Sequence, residues 1–411
     1  MASHALYARL SDWRVAWWLG GLQFTRIPRG TRDLIPPLSE AFRYIETKLL
    51  ETFTLWGYRE VRTPLFEYLD SLSRGVGSSL VQSMFKVQDD DGKLIAFRAE
   101  MTTPVARLVS SKMLKEAMPL RLCYVNNVVR FKESYPGCPR ELWQAGVELI
   151  GYRGVDADAE VILLMLSSLN ELGLNDVKID VGHAGIFKRL LALAKLKEGD
   201  AEKVKNLVSM RDSTGLKSLL RRSGCGEDIV RAFELVCELR GLKVIDEIVN
   251  ILSDEELLKH VEEVKLLFKL LEKSGFQSHV SLDLGLVRGL DYYTGIIFEP
   301  YTSTFGRALG GGGRYDDLIA SFVGVEVPAT GFALIVDYLV EAVGVEAIAQ
   351  RLNKRRRVII VPASYEHYQE ALARAQSLRS QGIIVELHSV NDIEGARAKA
   401  EKIGALLEVV G

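Results

Sequence analysis

The chain reads as an α+β protein: an antiparallel sheet flanked by helices, with a helical insertion and a small C-terminal α/β unit. Three observations predict this. Strand-like segments come in adjacent pairs, as in "PLRLCYVNNVVRFKES" followed by "ELWQAGVELIGY". From about 184 to 275 the pattern is almost wholly helical and charged. The last stretch runs strand, helix, strand, helix, strand, the pattern of a parallel βαβαβ unit. The main body lacks that alternation. It has no G-x-G-x-x-G at the head of a helix and no P-loop, so any nucleotide site there needs another architecture.

Residues 28–37, "PRGTRDLIPP", form a turn-rich opening. Apolar residues at helical spacing follow in "SEAFRYIETKLLETFTLWG", with Ser39 as a cap and Gly57 as a stop. "YREVRTPLFEYLD" alternates like a strand broken by Pro64, and "MFKVQDDDGKLIAFRAE" reads as a hairpin around Asp91-Gly92. "TTPVARLVSSKML" and the acidic-starting "DADAEVILLMLSSLNELG" read as helices, and "VKIDVGH" as a strand. Strands return in "HVSLDLGLVRGLDYYTGIIFEPY". A glycine-rich turn is expected next, and then a helix from about 331 to 350. The predicted division is a 1–25 N-terminal extension, a 26–350 main domain with its insertion at about 190–275, and a 355–411 α/β domain.

Composition narrows the function classes. At 48% hydrophobic and 26% charged, the 411 residues are long enough to bury cores without disulfides or metals. A net charge of −2 gives no global field for nucleic acid, and the run Lys354-Arg355-Arg356-Arg357 reads as a solvated linker. Cys123, Cys138, Cys225 and Cys237 form no C-x-x-C pair and have no histidine at zinc spacing. They read as reduced structural thiols in a cytoplasmic protein, and no metal is expected. The N-terminal "VAWWLGGL" is too short to span a membrane.

Four constellations can carry chemistry. In "FRAEMTTPVAR", Glu100 precedes a helix; it binds an ammonium group or simply favours the helix N-terminus. In "ELWQAGVELIG", Gln144, Gly146 and Glu148 share one strand face, and Arg130 on the preceding strand can join them. A cation, an amide and a carboxylate together suit a small zwitterion; a half-exposed hairpin is the alternative. In "LVRGLDYYTGIIFE", Arg288 can clamp a carboxylate or phosphate. Tyr292 and Tyr293 point to opposite sides if extended, so at most one lines a given pocket. In "ALGGGGRYDDLIASF", four glycines allow a close approach to the backbone.

"RGLDYYTG", "GGGGRYD" and "ATGF", in that order, resemble histidyl-tRNA synthetases, a class II aminoacyl-tRNA synthetase family. "GTRDLIPP", "GYREVRTPLFE" and "RFKES…RELWQAGVELIG" fit that family's first two motifs, and the resemblance covers roughly residues 25–345. It implies a sheet of six or so antiparallel strands and a dimer through the first motif. It also implies a histidine pocket lined by Glu100, Arg130, Gln144, Glu148, Arg288 and a tyrosine of Tyr292–Tyr293. Glu148 and a tyrosine hydroxyl would read the imidazole, and Arg288 would meet the ligand carboxylate. The nucleotide side departs from the family. Where the third motif carries an arginine over ATP, this chain has Tyr338, which supplies no cation. Where the second motif carries a glutamate, it has Lys132. The tail is also shorter than a full anticodon-binding domain.

"FRAEMTTPVARLVSSK" and "WQAGVELIG" resemble the regulatory subunits of ATP phosphoribosyltransferase, synthetase paralogues of histidine biosynthesis. That resemblance implies a non-catalytic subunit, required for the activity and histidine feedback of the first step of histidine biosynthesis. It implies no catalytic residues and no cofactor, with L-histidine as the ligand to expect. The implied partner is a short-form catalytic subunit, bound by a homodimer of this chain in a hetero-octamer, with no membrane or tRNA role. The alternatives are a divergent histidyl-tRNA synthetase and a stand-alone histidine-binding paralogue. The inhibitory histidine could also lie at an interface between subunits.

Overall fold

The computed structural model describes residues 26–131, 139–287, 292–352 and 356–411. Lys132, Arg288 and the 1–25 extension therefore lie outside the described residues. The chain divides into two compact units, one holding residues 26–35 and 42–342, the other residues 36–41 and 343–411.

The first unit is organised by strands β1 (Arg59–Glu60), β2 (Phe66–Tyr68), β3 (Lys86–Gln88), β4 (Leu94–Phe97), β5 (Leu120–Val129), β6 (Glu141–Ile150), β7 (Lys178–His183), β8 (Val280–Leu282), β9 (Ile296–Tyr301), β10 (Gly310–Arg314) and β11 (Ala329–Ile335). Eight of them form one sheet in the order β1-β5-β6-β11-β10-β9-β7-β8. The inner six, β5 through β7, are antiparallel. The expectation of six or so antiparallel strands thus describes the middle of the sheet. The edge strands β1 and β8 add to it as parallel partners. β2, β4 and β3 form a separate antiparallel sheet that includes the predicted hairpin.

Two segments differ from their predicted states. The glycine run is strand β10, not a turn, and it pairs with β9 and β11. A Cβ on Gly310 would fall 2.2 Å from Ala333 O, and one on Gly312 would fall 2.3 Å from Gly331 O. The neighbouring backbone leaves no room for side chains, so glycine is selected here by packing against strand propensity. "GFALI" is the end of strand β11, and the helix begins only at Val336. Five apolar residues are too few to separate the two periods.

The unit's α-helices longer than five residues are α1 (Leu38–Leu55), α2 (Thr102–Leu108), α3 (Val155–Glu171), α4 (Ala184–Ala194), α5 (Glu198–Ser209), α6 (Ser213–Arg222), α7 (Glu227–Glu238), α8 (Lys243–Leu252), α9 (Glu255–Lys273) and α10 (Val336–Val343). α3 packs on β6, β11 and α9 and is buried over most of its surface, so its apolar residues run nearly round the helix. α4 to α9 form the insertion. Three of its six helix starts carry a side-chain cap: His183 accepts from Ile186 N at 3.3 Å, Asp212 from Gly215 N at 2.8 Å and Asp254 from Leu257 N at 2.9 Å, each satisfying a helix-end donor, while α5, α7 and α8 start without one.

The second unit has α11 (Val345–Leu352), β12 (Arg357–Pro362), α12 (Tyr368–Ser380), β13 (Ile384–Leu387), α13 (Ile393–Ile403) and β14 (Leu406–Val410). Its parallel sheet runs β13-β12-β14. Val358 and Ile360 of β12 pack with Ala371, Ala375 and Leu378 of α12, while Ile359 and Val361 pack with Ala396 and Ala400 of α13. Alternate residues of one strand thus feed two cores, which explains its unbroken apolar run.

Candidate functional site

The site grows from strand register. Gln144, Gly146 and Glu148 stand opposite Asn126, Tyr124 and Leu122 of β5 and opposite Ile335, Ala333 and Gly331 of β11. Two glycines make space for large polar neighbours. A Cβ on Gly146 would lie 2.6 Å from the Tyr124 hydroxyl, and one on Gly331 would lie 2.1 Å from Glu148 Oε2.

Glu148 is only 1% exposed. Tyr124 donates to its Oε1 at 3.2 Å, and Tyr315, just past β10, donates to its Oε2. Burial raises the Glu148 pKa to about 8, against the pull of these hydrogen bonds. Burial also lifts the tyrosine hydroxyls well above their usual range, so both remain protonated donors.

A cavity of about 380 Å³ opens on this face, inside the ~300–1,000 Å³ range of small-molecule sites. Glu100, Arg130, Gln144, Tyr292, Tyr293, Tyr315 and Tyr338 line it. The structure thus brings together six predicted residues: Glu100, Arg130, Gln144, Tyr292 and Tyr293 of the expected histidine pocket, and Tyr338 of the altered nucleotide side. Glu148 stands behind the lining and holds Tyr315, whose hydroxyl donates to Glu148 and whose oxygen remains an acceptor.

Both adjacent tyrosines line the cavity, which corrects the expectation that they diverge. Tyr292 sits in a turn and β9 starts only at Ile296, so strand alternation does not apply. Their ring centroids are 4.5 Å apart and their hydroxyls 3.4 Å apart. Glu100 keeps both roles that its sequence allows. Its carboxylate accepts from Thr102 N at 2.6 Å and Thr103 N at 2.9 Å, holding the start of α2, and it also lines the cavity. Arg130 donates its Nε to Ala99 O. Burial lowers its pKa, and Glu100 pulls the other way. Gln144 is 4% exposed, and its Oε1 has no hydrogen-bond partner among the described residues.

Sequence reasoning does not single out Tyr124 or assign Tyr315. The one signal for Tyr124 is Gly146 inside a strand, which marks a close approach. Arg314, beside Tyr315, serves the fold: it donates to Asp158 Oδ2 at 3.0 Å and Gly154 O at 2.7 Å.

Among the described residues one cluster has metal-ligand chemistry: His183, His260 and Glu263. His183 Nδ1 accepts from Ile186 N at 3.3 Å, so the ring proton sits on Nε2, 2.9 Å from Glu263 Oε2. His260 Nδ1 lies 3.3 Å from the same oxygen. In this tautomer the His183 nitrogen facing the cluster donates its proton to Glu263, so the carboxylate is held between two imidazoles. No helix among the described residues is long and apolar enough to cross a membrane.

Comparison with known proteins agrees with this architecture. The histidyl-tRNA synthetase family profile matches residues 30–339. An ATP phosphoribosyltransferase regulatory subunit from Clostridium kluyveri is 35% identical over 378 residues, 91% of this chain and 96% of that one. One from Halothermothrix orenii is 34% identical over 359 residues, 87% of this chain and 85% of that one. The crystal structure of an ATP phosphoribosyltransferase regulatory subunit/histidyl-tRNA synthetase from Bacillus halodurans superposes with a TM-score of 0.82 at 31% identity, covering 93% of this chain and 98% of that one. Apo histidyl-tRNA synthetase of S. aureus gives 0.68 at 25% identity, covering 94% and 91%.

Proposed function

This chain belongs to the family of ATP phosphoribosyltransferase regulatory subunits, non-catalytic proteins on the histidyl-tRNA synthetase fold, and from that premise we propose that it binds L-histidine in the 380 Å³ cavity and relays its presence to a short-form catalytic subunit. The observation that carries the reading is the unpaired Oε1 of buried Gln144. A buried acceptor without a donor costs about 1–3 kcal/mol, so a ligand N–H that fills it gains correspondingly. Around it stand the Glu100 carboxylate and the Tyr315 oxygen, while Arg130 supplies a cation. An ammonium group and an imidazole N–H match the acceptors, and a carboxylate matches Arg130.

Tyr338 occupies the start of α10, where a synthetase of this fold would carry a phosphate-binding arginine. The pocket then senses the amino acid without activating it. Feedback is a coupling free energy between this cavity and the partner's active site, so the partner's state must change histidine affinity by the same factor. In this reading the chain works as a homodimer inside a hetero-octamer.

The test is reconstitution with a short-form catalytic subunit. The chain should raise phosphoribosyl transfer, histidine should suppress it, and Gln144→Met should relieve the suppression while assembly persists. Histidine-dependent ATP–pyrophosphate exchange by the chain alone would overturn the reading in favour of a synthetase. Feedback unchanged in Gln144→Met would move the sensing site elsewhere.

A further inference from the structure

One arginine of the helical insertion holds a turn that forms part of the cavity wall. Arg211 stands between α5 and α6 with a backbone φ of 57°, the left-handed region that non-glycine residues rarely enter. A residue stays in such a conformation where its surroundings over-determine it, and such residues gather at functional sites. Here its N donates to Val208 O at 3.0 Å, and the next residue, Asp212, caps α6. From that corner the guanidinium joins the insertion to the sheet. Its Nη1 donates to Val236 O at 3.2 Å and to Cys237 O at 3.0 Å, carbonyls of the last turn of α7, where helix geometry supplies no donor. Its Nη2 donates to the carboxylate of Asp283, the residue after β8.

Asp283 is 3% exposed and organises the residues that follow it. Its N donates to Val181 O at 2.8 Å, its Oδ1 accepts from Gly285 N at 2.9 Å, and its O accepts from Leu286 N at 3.2 Å. A carboxylate that closes on the N–H two residues on makes an Asx turn. The guanidinium packs directly on that turn, since a Cβ on Gly285 would fall 2.4 Å from Arg211 Nη1. The other side of the turn rests on β7, where a Cβ on Gly182 would meet Asp283 O at 3.0 Å and Leu286 Cβ at 3.1 Å. Leu286 lines the ligand cavity. It also lines a second cavity of about 390 Å³, together with Arg211, Arg240, Asp283 and Gly285. Glu299 of β9 borders both, so the two cavities share a wall. Arg240 Nη2 lies 3.1 Å from Asp283 as well, but its side chain is 57% exposed and water screens that contact.

We propose that Arg211 is a positioning residue through which the helical insertion sets the shape of the ligand cavity: by holding Asp283 it fixes the 283–286 turn, and with it Leu286 in the shared wall. Without Arg211 the buried carboxylate is left under-compensated, and it regains water only by opening the turn. Anything that moves the α5–α6 corner or the end of α7 then alters the cavity. Occupancy of the cavity acts back on the insertion by the same factor. The turn needs no particular ligand; its effect on L-histidine rests on the reading given above.

The experiment is amide hydrogen exchange and L-histidine calorimetry on the full chain and its variants. In Arg211→Met the amides of residues 284–287 should exchange about tenfold faster or more, the loss of one hydrogen bond to a charged group. Protection in β5 and β6 should persist, which shows that the variant is folded. Histidine affinity should fall about fivefold or more, the low end of coupling between sites. Arg211→Lys should recover part of both losses, because the charge is kept and the fork is not. Arg211→Met combined with Asp283→Asn should lose no more affinity than the larger of the single losses, since each breaks the same contact. Asp254→Ala removes the α9 cap and its bond to α4 instead, and should leave the turn and the affinity as in wild type. Histidine should also slow exchange at the end of α7 in wild type but not in Arg211→Met, a response that a merely structural arginine would not carry. Unchanged exchange at 284–287, or a loosened turn with unchanged affinity, would overturn the proposal. So would loss of protection throughout the sheet in both Arg211→Met and Arg211→Lys, which would make Arg211 a general support of the fold. A wild type that binds no histidine would sink the histidine reading, and exchange at 284–287 would then decide the role of Arg211 by itself.

Discussion

Replacing Glu148 with glutamine is expected to protect the synthetase-like unit from alkaline pH. Burial raises the Glu148 pKa from 4.5 to about 8. The folded state therefore holds this proton more tightly than the unfolded chain does. The resulting stability is complete below about pH 4.5 and is lost as pH rises through about 8. One pH unit inside that window is worth about 1.4 kcal/mol, so raising the pH from 6 to 9 costs wild type about 3 kcal/mol through this group alone. Asp158, whose pKa burial raises to about 6, loses most of its contribution below that interval and does not confuse the reading. Glutamine keeps the side-chain shape and stays neutral. Its oxygen can accept from one tyrosine, and its amide can donate to the other. Urea denaturation followed by circular dichroism at pH 6, 7.5 and 9 measures the effect. Wild type should lose about 3 kcal/mol more than Glu148→Gln across the series. Parallel losses in the two proteins would refute the argument that burial holds this carboxyl neutral.

Other substitutions probe the site and its frame. In Gly331→Ala the new Cβ would stand 2.1 Å from Glu148 Oε2 and 2.3 Å from Val147 O. It should cost about 1–3 kcal/mol and abolish histidine binding, measured by thermal unfolding and calorimetry. Arg314→Met strips the partner from Asp158, which is 1% exposed. It should destabilise by about 3–5 kcal/mol, much of it recovered by adding Asp158→Asn, as denaturation of the single and double variants will show. Asp254→Ala removes a cap and the Arg189 ion pair at 2.7 Å. Faster amide exchange should then appear in the first turn of α9, with protection in β5 and β6 unchanged. Tyr338→Arg alone should yield no ATP–pyrophosphate exchange above background.

The parts of the structure legible from sequence are those where one local rule acts alone. β5 and β6 were legible as two extended apolar segments joined by a loop, and the period of two puts Gln144 and Glu148 on one side of β6. The terminal βαβαβ pattern was equally plain. Legibility fails where distant neighbours decide. Nothing local says that Gly310–Arg314 is a strand, because its glycines answer to the backbone of β11. Tyr292 and Tyr293 face one cavity because a turn precedes β9, a matter of a few residues of strand boundary. Tyr315 reaches Glu148 across 167 positions of sequence, and Arg307 meets Tyr338 only once the sheet has formed. Residue types at the site could be read, but which hydroxyl serves which carboxylate required the fold.

The pairing of β7 with β8 bears on how this chain can change length. The two strands are neighbours and run the same way, with Asp180 beside Ser281. The helices α4 to α9 are what joins them. Parallel neighbours cannot be linked by a tight turn, because the chain leaving one strand must travel back along its length before entering the next. The helical module therefore occupies a place where a return path is compulsory in any version of this fold. Pruning it to a single helix keeps a workable route; pruning it to a hairpin does not. Enlargement carries no such limit, since added helices lengthen the detour without altering the register of a ladder only three residue pairs long.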